Sequence, residues 1–250
     1  MISRKSPAEI EIIKANGRMT ALILEKVLAA AQPGVKTIEL EELANSLLDK
    51  FGVQASFKTV KNYQFALCLS LNEEIVHGLP GDRKLKKGDL LSVDSGVLDR
   101  GFHSDMARTI VVGEKETKEI SRFLAAGKKA LRKAIDQARI GNRVGHLSLA
   151  IEETVEKAGY SPVEGLVGHG LGRTLHEDPQ IPCFLMGKME ETPLLEKGMV
   201  LAVEAMYAQG EGAIKIDGWT VRTADGSLAG HFENTIVVTE KGPVVLTKQA

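Results

Sequence analysis

The chain has 250 residues, 43% of them apolar, with a mean hydropathy of -0.06, enough to bury a core as one domain or as two closely packed halves. Its 32 lysines and arginines nearly balance 33 aspartates and glutamates, and neither sign forms a long block. That balance leaves no electrostatic footprint for nucleic acid or an anionic membrane, and neither is expected as a partner.

The amino-terminal MISRKSPAEIEIIK has no apolar run of signal-peptide type, and the apolar stretch from Thr20 to Ala31 is interrupted by Glu25 and Lys26. A cytoplasmic protein without a membrane span is expected. Ser6-Pro7-Ala8-Glu9 reads as a capping box with proline at the first helical position, opening a helix that carries Ile10, Ile13, Leu22 and Val27 towards Ala31. Pro33-Gly34 ends it. A second helix is expected from a Thr37 cap to about Phe51, stopped by Gly52. Strands follow at Phe65 to Leu71, Asp89 to Val97 and Ala107 to Val112, the last two joined by a connection containing Gly101. Amphipathic helices are predicted from Glu114 to about Arg139 and from Val144 to Lys157, closed by Gly159. A glycine-rich stretch around His169 leads to strands at Met199 to Met206, Gly218 to Arg222 and His231 to Val238. The order of helix pair, strands, helix pair, strands predicts an α+β chain, one domain of two pseudo-equivalent halves at about 1–125 and 126–250.

Two segments repeat one another. Lys87-Gly88-Asp89-Leu90-Leu91-Ser92-Val93-Asp94 and Lys197-Gly198-Met199-Val200-Leu201-Ala202-Val203-Glu204 each read as a turn, a strand and a terminal carboxylate. Downstream, Asp105 precedes Thr109-Ile110-Val111-Val112 and Glu233 precedes Thr235-Ile236-Val237-Val238. Each half therefore offers two strand carboxylates, and because side chains alternate along a strand, Asp94 and Ser92 share a face opposite Leu91 and Val93. Four converging carboxylates cannot all stay ionised without cations and call for about two divalent ions. A fifth ligand is offered by Gly168-His169-Gly170, whose glycines allow close backbone approach. Hard oxygens with one imidazole suit cobalt, manganese, iron or zinc better than calcium. Cys68 and Cys183 are too few for a thiolate cluster. The chemistry this predicts is metal-assisted hydrolysis. His77, before Gly78-Leu79-Pro80, and His176, before Glu177-Asp178-Pro179, fit either substrate contact or turn capping, whereas His103, His146 and His231 read as structural or solvated.

The motifs NEEIVHGLP, VDSG followed by FHSD, GHGLGRTLHEDP, VEAM and HFENTIVVT, in this order from about Ser6 to Val245, resemble the methionine aminopeptidases. The resemblance is to the short bacterial type I enzymes, since 35 positions separate His169 from Glu204 and leave no room for a helical insertion. It implies a pita-bread fold, with two pseudo-symmetric halves around a central curved antiparallel sheet, and removal of the initiator methionine when a small residue follows. Asp94, Asp105, His169, Glu204 and Glu233 are implied as ligands of two metal ions, with Asp105 and Glu233 bridging and Asp94 and His169 on different ions. His77 and His176 are implied at the scissile bond, and Glu204 as the proton shuttle. Cys68, Tyr63 and Trp219 fall where similar enzymes line the methionine pocket. Phe57 and Val60 stand in place of a cysteine and a tyrosine there, and Asn62 in place of a glycine. Ala205 and Asn234 replace a proline and a histidine beside two ligands. Nascent polypeptide amino termini and short peptides are the implied partners, with transient ribosome contact and a monomeric state. A prolidase-like peptidase, a non-catalytic binding protein of the same fold and a calcium-stabilised structural protein are the rival readings. Completeness of the ligand set argues against the second, and His169 with its glycines against the third.

Overall fold

Ser6 starts the first helix by reciprocal bonding: its hydroxyl accepts from the Glu9 N–H, while the Glu9 carboxylate accepts from the Ser6 N–H at 2.9 Å. The computed structural model describes residues 2–113 and 116–248. Helix α1 spans Pro7–Ala30 and α2 spans Thr37–Phe51, closed by Gly52 at a φ of 67°. Thr37 is not the expected cap. Lys36 holds that position, and the Thr37 hydroxyl instead accepts from the Gly81 N–H at 2.9 Å and donates to the Gly81 carbonyl at 3.0 Å, fastening α2 to the 77–85 loop.

Strands β1 (Gln54–Ala55), β2 (Leu67–Leu71) and β3 (Glu74–Val76) precede the long hairpin of β4 (Leu90–Asp99) and β5 (Phe102–Val111). The hairpin is longer than the sequence suggests. Arg100 and Gly101, with φ of 48° and 75°, make a two-residue turn whose hand matches strand twist, so pairing persists to Asp99 and Phe102. Asp94 is therefore in mid-strand rather than at a strand end, and Asp105 lies within β5 rather than in the connection. Helix α3 covers Lys118–Gln137, capped by Thr117, and α4 covers Val144–Lys157. Glu114, the expected start of α3, lies outside the described residues.

The second half contributes β6 (Ser161–Pro162), β7 (Val167–Gly170), β8 (Glu177–Pro182), β9 (Val200–Ala208), β10 (Ile214–Asp217), β11 (Thr220–Thr223), β12 (Ala229–Thr239) and β13 (Gly242–Val245). The glycine-rich stretch at His169 is thus a strand. In one sheet β4 carries β1 and β2 on one edge and β5 on the other; a second runs β13-β12-β9-β7-β8, with β6 also on β9; β10-β11-β3 form a third. All pairs are antiparallel. Leu24, Val27, Leu40 and Leu47 of α1 and α2 pack on Leu67, Leu69, Leu91 and Val93, while Phe123, Leu131 and Ile151 of α3 and α4 pack on Leu201, Val203, Ile236 and Val238. Helices therefore cover one side of the sheets, an α+β arrangement as expected.

The first two sheets meet where β5 runs beside β12, and threonine hydroxyls bridge their main chains. Thr109 Oγ1 accepts from the His231 N–H at 2.8 Å and donates to the His231 carbonyl at 2.9 Å. Thr235 Oγ1 does the same for Asp105, at 2.9 and 2.8 Å. Both strands at this seam are buried, so their polar groups need these partners.

Candidate metal centre and its pocket

Asp94 of β4 opposes Ala107, and Gly96 opposes Asp105, so the two aspartates sit on a diagonal of one hairpin. Glu204 of β9 and Glu233 of β12 oppose one another directly. All four are buried at 8% exposure or less, on the wall of one cavity of about 280 Å³. His169 reaches the same wall from β7. A Cβ at Gly168 would come within 2.7 Å of the Ala202 carbonyl oxygen, and one at Gly170 within 2.2 Å of that of Asp178, so glycine is required on both sides. Its Nδ1 lies 2.9 Å from the Gly170 carbonyl oxygen and carries the hydrogen, which leaves Nε2 facing Asp105 Oδ2 at 3.9 Å.

Ligand atoms of Asp105, His169 and Glu233 lie within 4.8 Å of one another. Burial, then the Asp94 and Glu204 charges, holds the Asp105 carboxyl well above its usual range; burial, then Asp105 and Glu204, does the same to Glu233. Asp94 is pushed up to about 7, chiefly by burial, with His231 opposing and Glu204 adding. Asp94 Oδ1 and Glu233 Oε1 are buried without a hydrogen-bond partner. Orphaned carboxylate oxygens and a lone-pair imidazole nitrogen converging in one cavity fit a divalent cation.

His231 is the residue that sequence reasoning missed. Its sequence context suggests a structural or solvated residue; it lies within β12, 2% exposed, with Nε2 3.0 Å from Glu204 Oε2 and 3.8 Å from Glu233 Oε2. Burial lowers its basicity, but the hydrogen bond to Glu204 and the Glu204 and Asp94 charges outweigh it and the net shift is upward. The signal was present. The strand registers equate Asp94 with Glu204, and the paired threonines Thr109 and Thr235 equate Asp105 with His231, not with Glu233. Aligning the echo on its threonines, rather than on its acids, places an imidazole in the site. His103 is structural as expected, with Nδ1 3.1 Å from Ser56 Oγ, and His146 Nδ1 accepts from the Arg143 N–H at the start of α4.

His77 and His176 both reach the cavity. His77 follows β3 at a φ of 59°, and Gly78 beside it packs so tightly that a Cβ would lie 2.3 Å from the Leu69 carbonyl oxygen. That turn throws the imidazole inward, and burial keeps it less basic than usual. The His176 ring stands 4.5 Å from that of His169, edge to face, and is pushed down to about 4 by desolvation and then by His169.

The rest of the lining includes a largely apolar cluster of Phe57, Val60, Tyr63, Cys68, Leu175 and Trp219, Cys68 standing beside Asp94 across β2 and β4. Tyr63 meets Trp219 edge-on at 5.2 Å, donates to the Leu67 carbonyl at 2.8 Å and lies 3.2 Å from Cys68 Sγ. Asn62 has a φ of 67°, a left-handed conformation that asparagine tolerates better than most side chains. Asn234 Oδ1 accepts from Arg108 Nη2 at 2.8 Å and Thr247 Oγ1 at 3.1 Å, and Arg108 Nη1 also donates to the Glu233 carbonyl, so this position braces a candidate ligand from behind. Ala205 is buried in β9 opposite Phe232.

The sequence profile of metallopeptidase family M24 matches residues 11–240. The methionine aminopeptidase of Clostridium perfringens is 40% identical over 249 residues and 99% of each chain, and methionine aminopeptidase 1 of Bacillus subtilis is 41% identical over 99% of this chain and 100% of its own. Among solved structures, methionine aminopeptidase from Thermotoga maritima superposes with a TM-score of 0.95 at 41% identity over the whole of both chains. The prolidase from Pyrococcus horikoshii superposes at 0.79 over 99% of this chain and 64% of its own, at 23% identity, which shows the fold alone. Matched end to end in sequence and in pita-bread fold, the chain belongs to the methionine aminopeptidases of metallopeptidase family M24.

Proposed function

We propose that the protein is a divalent-metal hydrolase that releases amino-terminal methionine from nascent polypeptides and short peptides when a small residue follows. The observation that carries the reading is a single cavity lined both by Asp94, Asp105, His169, Glu204 and Glu233 and by the apolar, thiol and aromatic side chains of Phe57, Val60, Tyr63, Cys68 and Trp219. Four buried carboxylates against two buried histidines, His169 and His231, support two ions rather than one, cobalt, manganese, iron or zinc. Asp94, Asp105, His169, Glu204 and Glu233 would hold them.

Bound divalent ions at such a site supply an activated water and polarise the carbonyl that it attacks. Glu204, held by His231 Nε2, would serve as the acid and base that takes a proton from the attacking water and returns one to the leaving amine. His77 and His176, both held less basic than usual, contact the substrate at the scissile bond and stabilise the oxyanion. Phe57, Val60, Tyr63, Cys68 and Trp219 receive the methionine side chain, whose polarizable thioether suits a thiol and ring edges. The catalytic unit is a single domain with halves at about 1–125 and 126–250, monomeric, working in the cytoplasm with brief ribosome contact. Among the described residues no helix is long and apolar enough to cross a membrane.

The test is methionine release from a Met-Ala-Ser peptide with cobalt, manganese, iron(II) or zinc added in turn, against Met-Lys and Leu-Ala-Ser controls. Release that requires metal and a small second residue supports the reading. Absence of release with every metal, despite bound ions, moves the substrate to another amino-terminal residue or an Xaa-Pro peptide.

A further inference from the structure

We propose that Lys5 is a positioning residue for the reaction: through a buried ion pair with Glu177 it fixes the turn that carries His176 at the mouth of the cavity. The inference rests on the reading of His176 as a substrate-contacting group. The Lys5 side chain is 3% exposed, and its Nζ lies 2.7 Å from Glu177 Oε2. Lysine is almost never buried this deeply without a partner, because its ammonium is costly to desolvate. Its stem lies flat on Gly172, where a Cβ would stand 2.3 Å from Lys5 Cε and 2.8 Å from Nζ, so the glycine is part of the slot.

The other Glu177 oxygen accepts from the main-chain N–H of Arg173 at 2.8 Å and of Thr174 at 3.2 Å, and the Thr174 hydroxyl donates to the His176 carbonyl at 3.1 Å. One carboxylate thus closes the turn on itself, and Lys5 holds that carboxylate to the segment before α1; the Gly172 and Arg173 side of the turn is held separately, the Gly172 carbonyl accepting from the His103 N–H at 2.8 Å and Arg173 Nη2 donating to Glu9 Oε1 at 2.9 Å. The far end of that tie is also fixed: the Lys5 N–H donates to the Gly198 carbonyl at 2.7 Å, in the turn that enters β9 and leads to Glu204. Lys5 therefore links the strand bearing Glu204 to the turn bearing His176, without reaching either reacting group. Removing it leaves Glu177 partly desolvated, with two amide donors and no counter-charge, and loosens the side of the turn that carries Thr174 and His176, whose side chains are exposed.

The experiment compares Lys5→Met, Lys5→Arg, Glu177→Gln and the Lys5→Met/Glu177→Gln pair, each loaded to the wild-type metal content. A misplaced contacting group should cost kcat about 10- to 100-fold in Lys5→Met, with KM moved less than about threefold. Lys5→Arg should recover most of the loss, and the double variant should be no worse than the worse single one, since both break the same tie. Hydrogen exchange across residues 172–178 should rise in Lys5→Met and Glu177→Gln and stay unchanged elsewhere. Wild-type kcat in Lys5→Met, a loss that merely follows metal content, additive single effects or unchanged exchange would each overturn the proposal. Should Lys5→Met not fold, Glu177→Gln carries the same comparison. If the wild type releases no methionine, the assigned reaction fails, and the exchange measurement still decides the tie.

Discussion

The two carboxylate pairs come from segments that read alike and end in unlike surroundings. Glu204 and Glu233 face one another in register, with His231 Nε2 3.0 and 3.8 Å away and the Arg108 guanidinium on the Glu233 carbonyl. Asp94 and Asp105 lie diagonally across Gly96, the imidazole nearest Asp105 is His169 at 3.9 Å, and one Asp94 oxygen has no partner. A repeated motif can build the same scaffold twice and be compensated once. Glu204 has an imidazole at hydrogen-bond distance while His231 acts on Asp94 only through space, and Glu233 Oε1 is left without a partner among the described residues just as Asp94 Oδ1 is, so the aspartate pair together with Glu233 is what most needs an ion from solution.

The sharpest break in that comparison is Asp105→Ala, which should abolish metal-dependent methionine release by about a thousandfold or more and lower bound metal, as followed by product assay and metal analysis. Normal turnover in metal-replete buffer would remove Asp105 from the ligand set. Next comes His77→Ala: with the metal content intact, the rate should fall about a hundredfold. Metal loss in that variant would make His77 a ligand. His231→Asn isolates the compensation on the glutamate side. It should weaken metal affinity or activity by about 10- to 100-fold, the usual effect of losing a group that orients a ligand; calorimetric affinity equal to wild type would mean that Glu204 needs no such support.

The smallest effect concerns pH. Asp94 is pushed up to about 7 by burial first, so its protonated form favours the fold, an advantage fully present below its ordinary pKa of 3.8 and lost as pH rises through 7. The upward shift of His231 has the same sign. His77 and His176, held less basic than usual, carry the opposite sign below their ordinary pKa of 6.5, so the Asp94 part is read against Asp94→Asn: between about pH 5 and pH 8 metal-free wild type should lose a few degrees of melting temperature relative to that variant. Saturating metal should remove that difference. A slope of equal size in Asp94→Asn would place its origin elsewhere.

Most elements were legible because their signals are local: the Ser6 capping box, Gly52 at positive φ, and the apolar periods of α1 to α4 act within a few residues. The misplacements share one cause. Thr37 is an ordinary cap by composition, yet Gly81, 44 positions away, takes its hydroxyl. His169 sits in a stretch whose glycines suggest a loop, yet those glycines are what let β7 pack against β9 and β8. Asp105 was separated from its strand because the Arg100-Gly101 turn prolongs pairing that the apolar run alone does not mark.

By itself the sequence determined the donor types, their order and the strand placement of Asp94, Glu204 and Glu233, since a strand's period of two and the cost of burying a carboxylate are properties of short segments. Tertiary structure decided which donors meet and what compensates them. The threonine-bridged seam between β5 and β12 puts His231 where its counterpart strand has Asp105, and the Lys5–Glu177 pair ties residues 172 positions apart. Hydrogen bonds and ion pairs of that span depend on geometry reached only when both sheets are packed, and no local pattern carries them.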